Sequence, residues 1–196
     1  TEYLLNLCME NASLQNIRQF FNTHKWVLIL IFIAVLCRVP LLSQLPRWDS
    51  GEYYYRLILG THHFEYTGFK EFVENYALCG HPTLGFCLVY LPGELAFSQE
   101  VIGVTLTSLI LTTLALWCVY RIFLKILPQV TEGKAAVCTF LLSFSPLFFG
   151  MTMYFNPDYA LAVFFIFLLY SYVYDKAVLA AFFSLLCFQT KETGLV

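Results

Sequence analysis

The chain has 196 residues, 59% hydrophobic, 18% aromatic and only 12% charged, with a formal net charge of -2. Soluble domains carry about 25% charged residues, so an integral membrane protein is expected, and at about 20 residues per span there is room for a handful of spans and no separate soluble domain. The acidic balance excludes a nucleic-acid binder, which needs a strongly basic face, and leaves membrane lipids, or molecules carried by lipids, as partners.

The chain begins at Thr1, and its last residues, TKETGLV, resume an apolar run, so a single N-terminal transmembrane module (1-196) of a longer protein is expected. The first span is predicted from about Trp26 to Leu45 (26-45), with Arg38 and Pro40 interrupting its far end. No small-residue cleavage pattern follows it, so it is not a cleaved signal. A large loop, 46-100, comes next and opens on RWDSGEYYYR. Tyr53, Tyr54 and Tyr55 suit the aromatic belt at a membrane interface. Further along, GFKEFVENY sets Phe69, Phe72, Val73 and Tyr76 on one helical face with Lys70 and Glu74 on the other, an interfacial helix lying apolar side down. Residues 82-97, interrupted by Pro92, Gly93 and Glu94, read as a juxtamembrane or re-entrant helix.

Further spans are predicted at 101-124, 135-155 and 159-174, with a last one over 177-196. Arg121, Lys125 and Lys134 stand against Glu132 in RIFLKILPQVTEGK, and Arg18 and Lys25 precede the first span. The positive-inside rule places both on the cytoplasmic face, which puts the 46-100 loop and the turn before Asp158 on the outer face, provided 82-97 does not cross. Of seven cysteines, Cys37, Cys87, Cys118, Cys138 and Cys187 lie in apolar runs, and only Cys79 falls in the polar part of the large loop, before residue 82. That loop has no internal disulfide, and the redox compartment stays open.

Four polar features stand out on the outer side, each with a structural and a functional reading. Asp49 and Glu52, in Asp-Ser-Gly-Glu, form either a helix capping box or a functional acid pair at membrane depth. Asn156 can cap a helix with Pro157 at its first position, leaving Asp158 either to complement the helix dipole or to act in a site. His81 before Pro82 either ends the loop or contacts a ligand. Lys191 and Glu192 pair with each other, snorkel, or serve the same site. There is no zinc spacing of Cys and His, no phosphate-cradling glycine loop and no nucleophile elbow.

Taken in order, these motifs resemble the GT-C superfamily of membrane glycosyltransferases, particularly the branch of protein O-mannosyltransferases and bacterial aminoarabinose transferases. In that branch a first span ends in an Arg-x-Pro-like turn, here CRVPLL, and the first outer loop opens with an acidic motif, here WDSGEYY. The loop closes on His-Pro-Pro-Leu or Lys-Pro-Pro-Leu, here GHPTLGF with Thr83 at the second proline. A later span starts with an Asp, here NPDYALAVFFIFLLY, and a Lys follows, here TKETG. The acid pair is more widely spread than usual, and WDSGEYY is also similar to the Trp-Asp loop of mannosyltransferases that build glycolipid anchors.

The resemblance implies an all-α polytopic membrane protein, a GT-C-like transmembrane helix bundle with interfacial juxtamembrane helices in the first outer loop. It implies a polyprenyl-phosphate sugar donor, an acceptor hydroxyl on protein, lipid or glycan, and inverting transfer on the extracytoplasmic or lumenal face of a bacterial or endoplasmic reticulum membrane. Asp49 would be the general base. His81 and Lys191 match the family's phosphate-contacting basic residues, Arg56 is added by its charge alone, and Asp158 would orient acceptor or sugar. Glu52 is a cap or a second acid. No tightly bound cofactor is implied, and a divalent metal is left open. The rival readings are a transporter or flippase-like protein and a structural multi-span protein without catalysis. The transporter would need intramembrane acids on several spans, and Glu94, Asp158 and Glu192 all fall near segment ends.

Overall fold

The computed structural model describes residues 2-43, 51, 53, 54, 57, 84-97, 100-152 and 155-191, with side chains in the first segment from Gln15 onward. Among the described residues every regular element is helical. Helix α1 (Glu2–Leu36) starts far ahead of the apolar run. The reason is local: from Glu2 to Val39 there is no glycine or proline, and the polar stretch over Gln15–Lys25 offers nothing that stops a helix once begun. The residues expected to form a tail before the first span are therefore part of its helix. Pro40 ends the α-helical pattern, and a 3-10 turn (Val39–Leu41) takes over.

Six more helices follow. Helix α2 (Leu84–Ala96) carries Pro92 inside it, and α3 (Val101–Ile126) fills the apolar run after Glu100 and continues through Arg121 and Lys125 of the basic segment. The segment expected as one span over 135-155 is instead two helices, α4 (Glu132–Ser143) and α5 (Pro146–Met151). Pro146 lacks an N–H and drives Ser145 into extended backbone at φ -58 and ψ 136, so the helix cannot run through. Helix α6 (Pro157–Val173) ends at Tyr174, where Asp175 takes a left-handed φ of 54, and α7 (Ala177–Phe188) folds back along it.

Helix α3 is the hub, touching α1, α2, α4 and α6. One buried cluster lies among α2, α3, α6 and α7, with Leu57, Phe86, Tyr90, Phe155, Tyr159 and Phe164 at its centre. A second, built on Val27, Ile31, Leu116, Tyr120, Ala135 and Ala136, joins α1, α3 and α4. Helices α2 and α3 cross in backbone contact: a Cβ at Gly93 or Gly103 would collide with the other residue's carbonyl oxygen. Small residues at such crossings are the usual packing device between membrane helices. Buried hydroxyls add to it, Tyr90 with Ser108 at 2.9 Å and Thr112 with Tyr159.

The bundle has two distinct ends. At one, His24 Nδ1 lies 3.1 Å from the Tyr120 hydroxyl and the Tyr174 hydroxyl donates to the Arg121 carbonyl at 3.0 Å. The basic residues Lys25, Arg121 and Lys176 belong to this end. At the other, the Thr105 hydroxyl donates to the Leu42 carbonyl at 2.7 Å and the Gly85 N–H to the Gln189 carbonyl at 2.9 Å. Two helices, Gln15–Leu41 and Val101–Ile126, are long and apolar enough to cross a membrane. The 13 residues of α2 reach only about 20 Å, and its contacts at Gly85 and Gly93 keep it at the second end.

Candidate functional site

The site is built outward from Asn156-Pro157-Asp158. Asn156 is extended, and its Oδ1 accepts the Asp158 N–H at 2.7 Å, with Pro157 at the first helical position where its missing N–H costs nothing. The cap occupies Asn156 and the Asp158 backbone but not the Asp158 carboxylate. That carboxylate accepts from Lys191 Nζ at 2.5 Å, the lysine side chain 30% and the aspartate 51% exposed. Lys191 is delivered by the last turn of α7, where the buried Thr190 hydroxyl donates to the Leu186 carbonyl at 2.6 Å. The structure thus gives Lys191 a partner on another helix, besides the neighbouring Glu192 weighed above, which lies outside the described residues.

Beside the pair runs an apolar groove of about 430 Å³ lined by Leu142, Ser145, Leu147, Phe148, Met151 and Tyr159, with Asp158 at its rim. Its volume falls in the range that holds a small organic ligand. The groove lies across the break between α4 and α5, its lining running from Leu142 through Ser145 to Met151. Arg38 fixes that break. Its guanidinium is 1% exposed and donates to the Thr152 hydroxyl at 3.0 Å, the Ala34 carbonyl at 2.8 Å and the Ser143 carbonyl at 2.6 Å, with the Phe149 ring 4.4 Å from Cζ. One side chain just beyond α1 therefore ties the end of α4 to the end of α5.

Asp49, Glu52, Arg56 and His81 lie outside the described residues. Described residues close in sequence to Glu52, Arg56 and His81 do meet. Tyr53 packs edge-on to Phe86 at 6.1 Å, and Tyr54 packs edge-on to Phe155 at 6.3 Å, so the residues following Glu52 reach α2 and the segment before Asp158. Leu57, following Arg56, is fully buried in the same cluster. Phe86 and Phe155 rings lie 4.5 Å apart, and Gly85, four residues after His81, bonds to Gln189, two before Lys191. All four motif segments predicted from sequence send described side chains or backbone into one cluster.

Three groups here were noted in the sequence but not placed among the candidate site residues. Glu94, on α2, is 1% exposed and near enough to Tyr54 to act on its phenol. The Tyr54 hydroxyl is buried with no hydrogen-bond partner among the described residues, and burial, helped by the Glu94 and Glu100 carboxylates, pushes its pKa up to about 12, so it stays protonated. Arg38 is the third. Lone charged residues inside apolar runs, next to Pro40 and Pro92, were the available signal. Among the described residues no three His, Cys, Asp or Glu side chains come together as a metal site.

Comparison with protein-family models, curated proteins and solved structures finds no match.

Proposed function

We propose that the chain is the N-terminal catalytic module of a multi-pass membrane glycosyltransferase, which moves a sugar from a polyprenyl-phosphate donor to an acceptor hydroxyl on the outer or lumenal face. The observation that carries this reading is the convergence just described. Neighbours of the acidic loop motif, of the His-Pro motif and of both partners of the Asp158–Lys191 pair meet in one cluster, beside an apolar groove. The contacts of Tyr53 and Tyr54 with Phe86 and Phe155, of Gly85 with Gln189 and of Asp158 with Lys191 lie at the end opposite Lys25, Arg121 and Lys176, as an outer-face site requires under the positive-inside rule. The outward surface supports membrane placement: Phe32, Ile110, Leu114, Leu141, Val178 and Phe182 are all exposed.

In this reading Asp49 takes the proton from the acceptor hydroxyl as its oxygen attacks the anomeric carbon. The bond from that carbon to the donor's phosphate oxygen breaks, the configuration inverts, and polyprenyl phosphate leaves with an added negative charge. Lys191, His81 and Arg56 stabilise that charge, which needs cations already in place before it develops. Asp158 holds Lys191 at the rim of the groove, and the groove takes the first apolar units of the prenyl chain. Glu52 either caps the loop helix or acts as a second acid.

The test is transfer by the full-length protein in liposomes supplied with a panel of synthetic polyprenyl-phosphate sugars. The expected result is acceptor-dependent release of polyprenyl phosphate from one donor of the panel. Transfer from a soluble nucleotide sugar, with every lipid-linked donor inert, would overturn the reading.

A further inference from the structure

The end of the bundle away from the groove carries a second arrangement that sugar transfer does not use. Among the residues with described side chains it holds Arg18, Lys25, Arg121, Lys125, Lys134 and Lys176 against Glu132 and Asp175, and the first turns of α1 add Glu2 and Glu10. Within it, two cations are fixed on one pair of tyrosines. The Arg121 guanidinium carbon lies 5.4 Å from the Tyr174 ring centre and 5.8 Å from that of Trp117, and its Nε–H donates to the Tyr174 hydroxyl at 3.3 Å. Tyr174 leans on Tyr170 at 4.6 Å, and Lys176 Nζ lies 5.4 Å from the Tyr170 ring centre. Neither cation forms an ion pair with a described residue, and the terminal nitrogens of Arg121 make no hydrogen bond to one.

A guanidinium held by its Nε and by two ring faces presents its outer N–H groups as a preformed fork for a phosphate. The ammonium beside it supplies a second charge. Directly after Lys176 the exposed face of α7 is apolar, with Val178 at 85% and Phe182 at 52% exposure. Anionic head contacts thus continue into a surface suited to acyl chains, which a free anion would leave unused. We propose that Arg121 and Lys176, on the Tyr170–Tyr174 pair, bind the phosphate of an anionic glycerophospholipid whose chains lie along α7. The site rests on the membrane placement proposed above and is independent of sugar transfer.

The experiment uses the full-length protein in a neutral detergent, titrated with dioleoyl phosphatidylglycerol, with dioleoyl phosphatidylcholine, and with sodium phosphate as competitor. Bound lipid is counted by native mass spectrometry. Phosphatidylglycerol should be preferred, and Arg121→Gln with Lys176→Gln should weaken it about 30-fold, each basic residue contributing about fivefold. Lys176→Gln alone, at an exposed turn position that leaves the Arg121 bonds intact, should cost about fivefold with unchanged melting. Lys125→Gln with Lys134→Gln removes the same charge away from the tyrosines and should leave affinity within about twofold. Equal loss in that control, or no preference for phosphatidylglycerol, would overturn the proposal. Displacement by sodium phosphate at the lipid's own affinity would overturn it too, by showing a free-anion site. Failure here with intact sugar transfer would leave the outer-face reading untouched.

Discussion

Arg38 shows how much of this molecule turns on single charged side chains in apolar surroundings. Its burial is tolerated because three N–H groups meet carbonyl or hydroxyl oxygens and an aromatic ring covers the guanidinium face. Lysine keeps the charge but has no planar fork to reach Ala34, Ser143 and Thr152 together. Arg38→Lys should therefore lower stability by about 2–3 kcal/mol, the scale of a lost charge-assisted hydrogen bond with its partner left buried, as read from unfolding in detergent. The Asp158–Lys191 pair behaves oppositely. Because both side chains are partly exposed, Asp158→Asn and Lys191→Gln should each change stability by less than about 1 kcal/mol. The proposed site role predicts that each nonetheless lowers transfer at least about tenfold, and unchanged transfer in both would remove the pair from the site. The cap half of this arrangement was legible in Asn156-Pro157-Asp158. The ion pair was not, since its partners stand 33 residues apart and only the return of α7 along α6 brings them together.

Among the elements, α3 was legible nearly to its ends because its apolar run opens directly after Glu100 and Pro128 follows two residues after its last helical residue. The N-terminal reach of α1 was not, since apolar content marks where a helix meets lipid and not where it begins. The division of α4 from α5 was written in Ser145-Pro146, but the apolar content around it reads as one span. At the crossing of α2 and α3 the two glycines set the separation of the axes. Gly93→Ala or Gly103→Ala should destabilise the bundle by about 1–3 kcal/mol through forced separation. Gly133→Ala and Gly150→Ala meet nothing within 4 Å and sit in helices, so they should be neutral or stabilise by up to about 1 kcal/mol. Thermal unfolding of the four variants checks both statements, and equal destabilisation by all four would contradict the packing argument.

For the whole molecule, two helices long enough to cross a membrane and an apolar outer surface agree with the expectation of a membrane protein. The proposed arrangement predicts sidedness. In a cysteine-free background of the full-length protein, single cysteines at Gly60 and Asn156 should react with an impermeant reagent from the same side, and one at Gln129 only after permeabilisation. Opposite labelling of Gly60 and Asn156 would mean that α2 crosses and would divide the proposed site between two faces. The central claim is that Asp49 activates the acceptor, and the Asp49→Asn variant tests it most directly, because asparagine caps a helix about as well as aspartate but cannot take up the proton. Measured as sugar transfer in liposomes beside a melting curve, the account predicts near-normal melting with transfer reduced by at least about 100-fold. A folded Asp49→Asn protein that transfers sugar at the unmodified rate would contradict it.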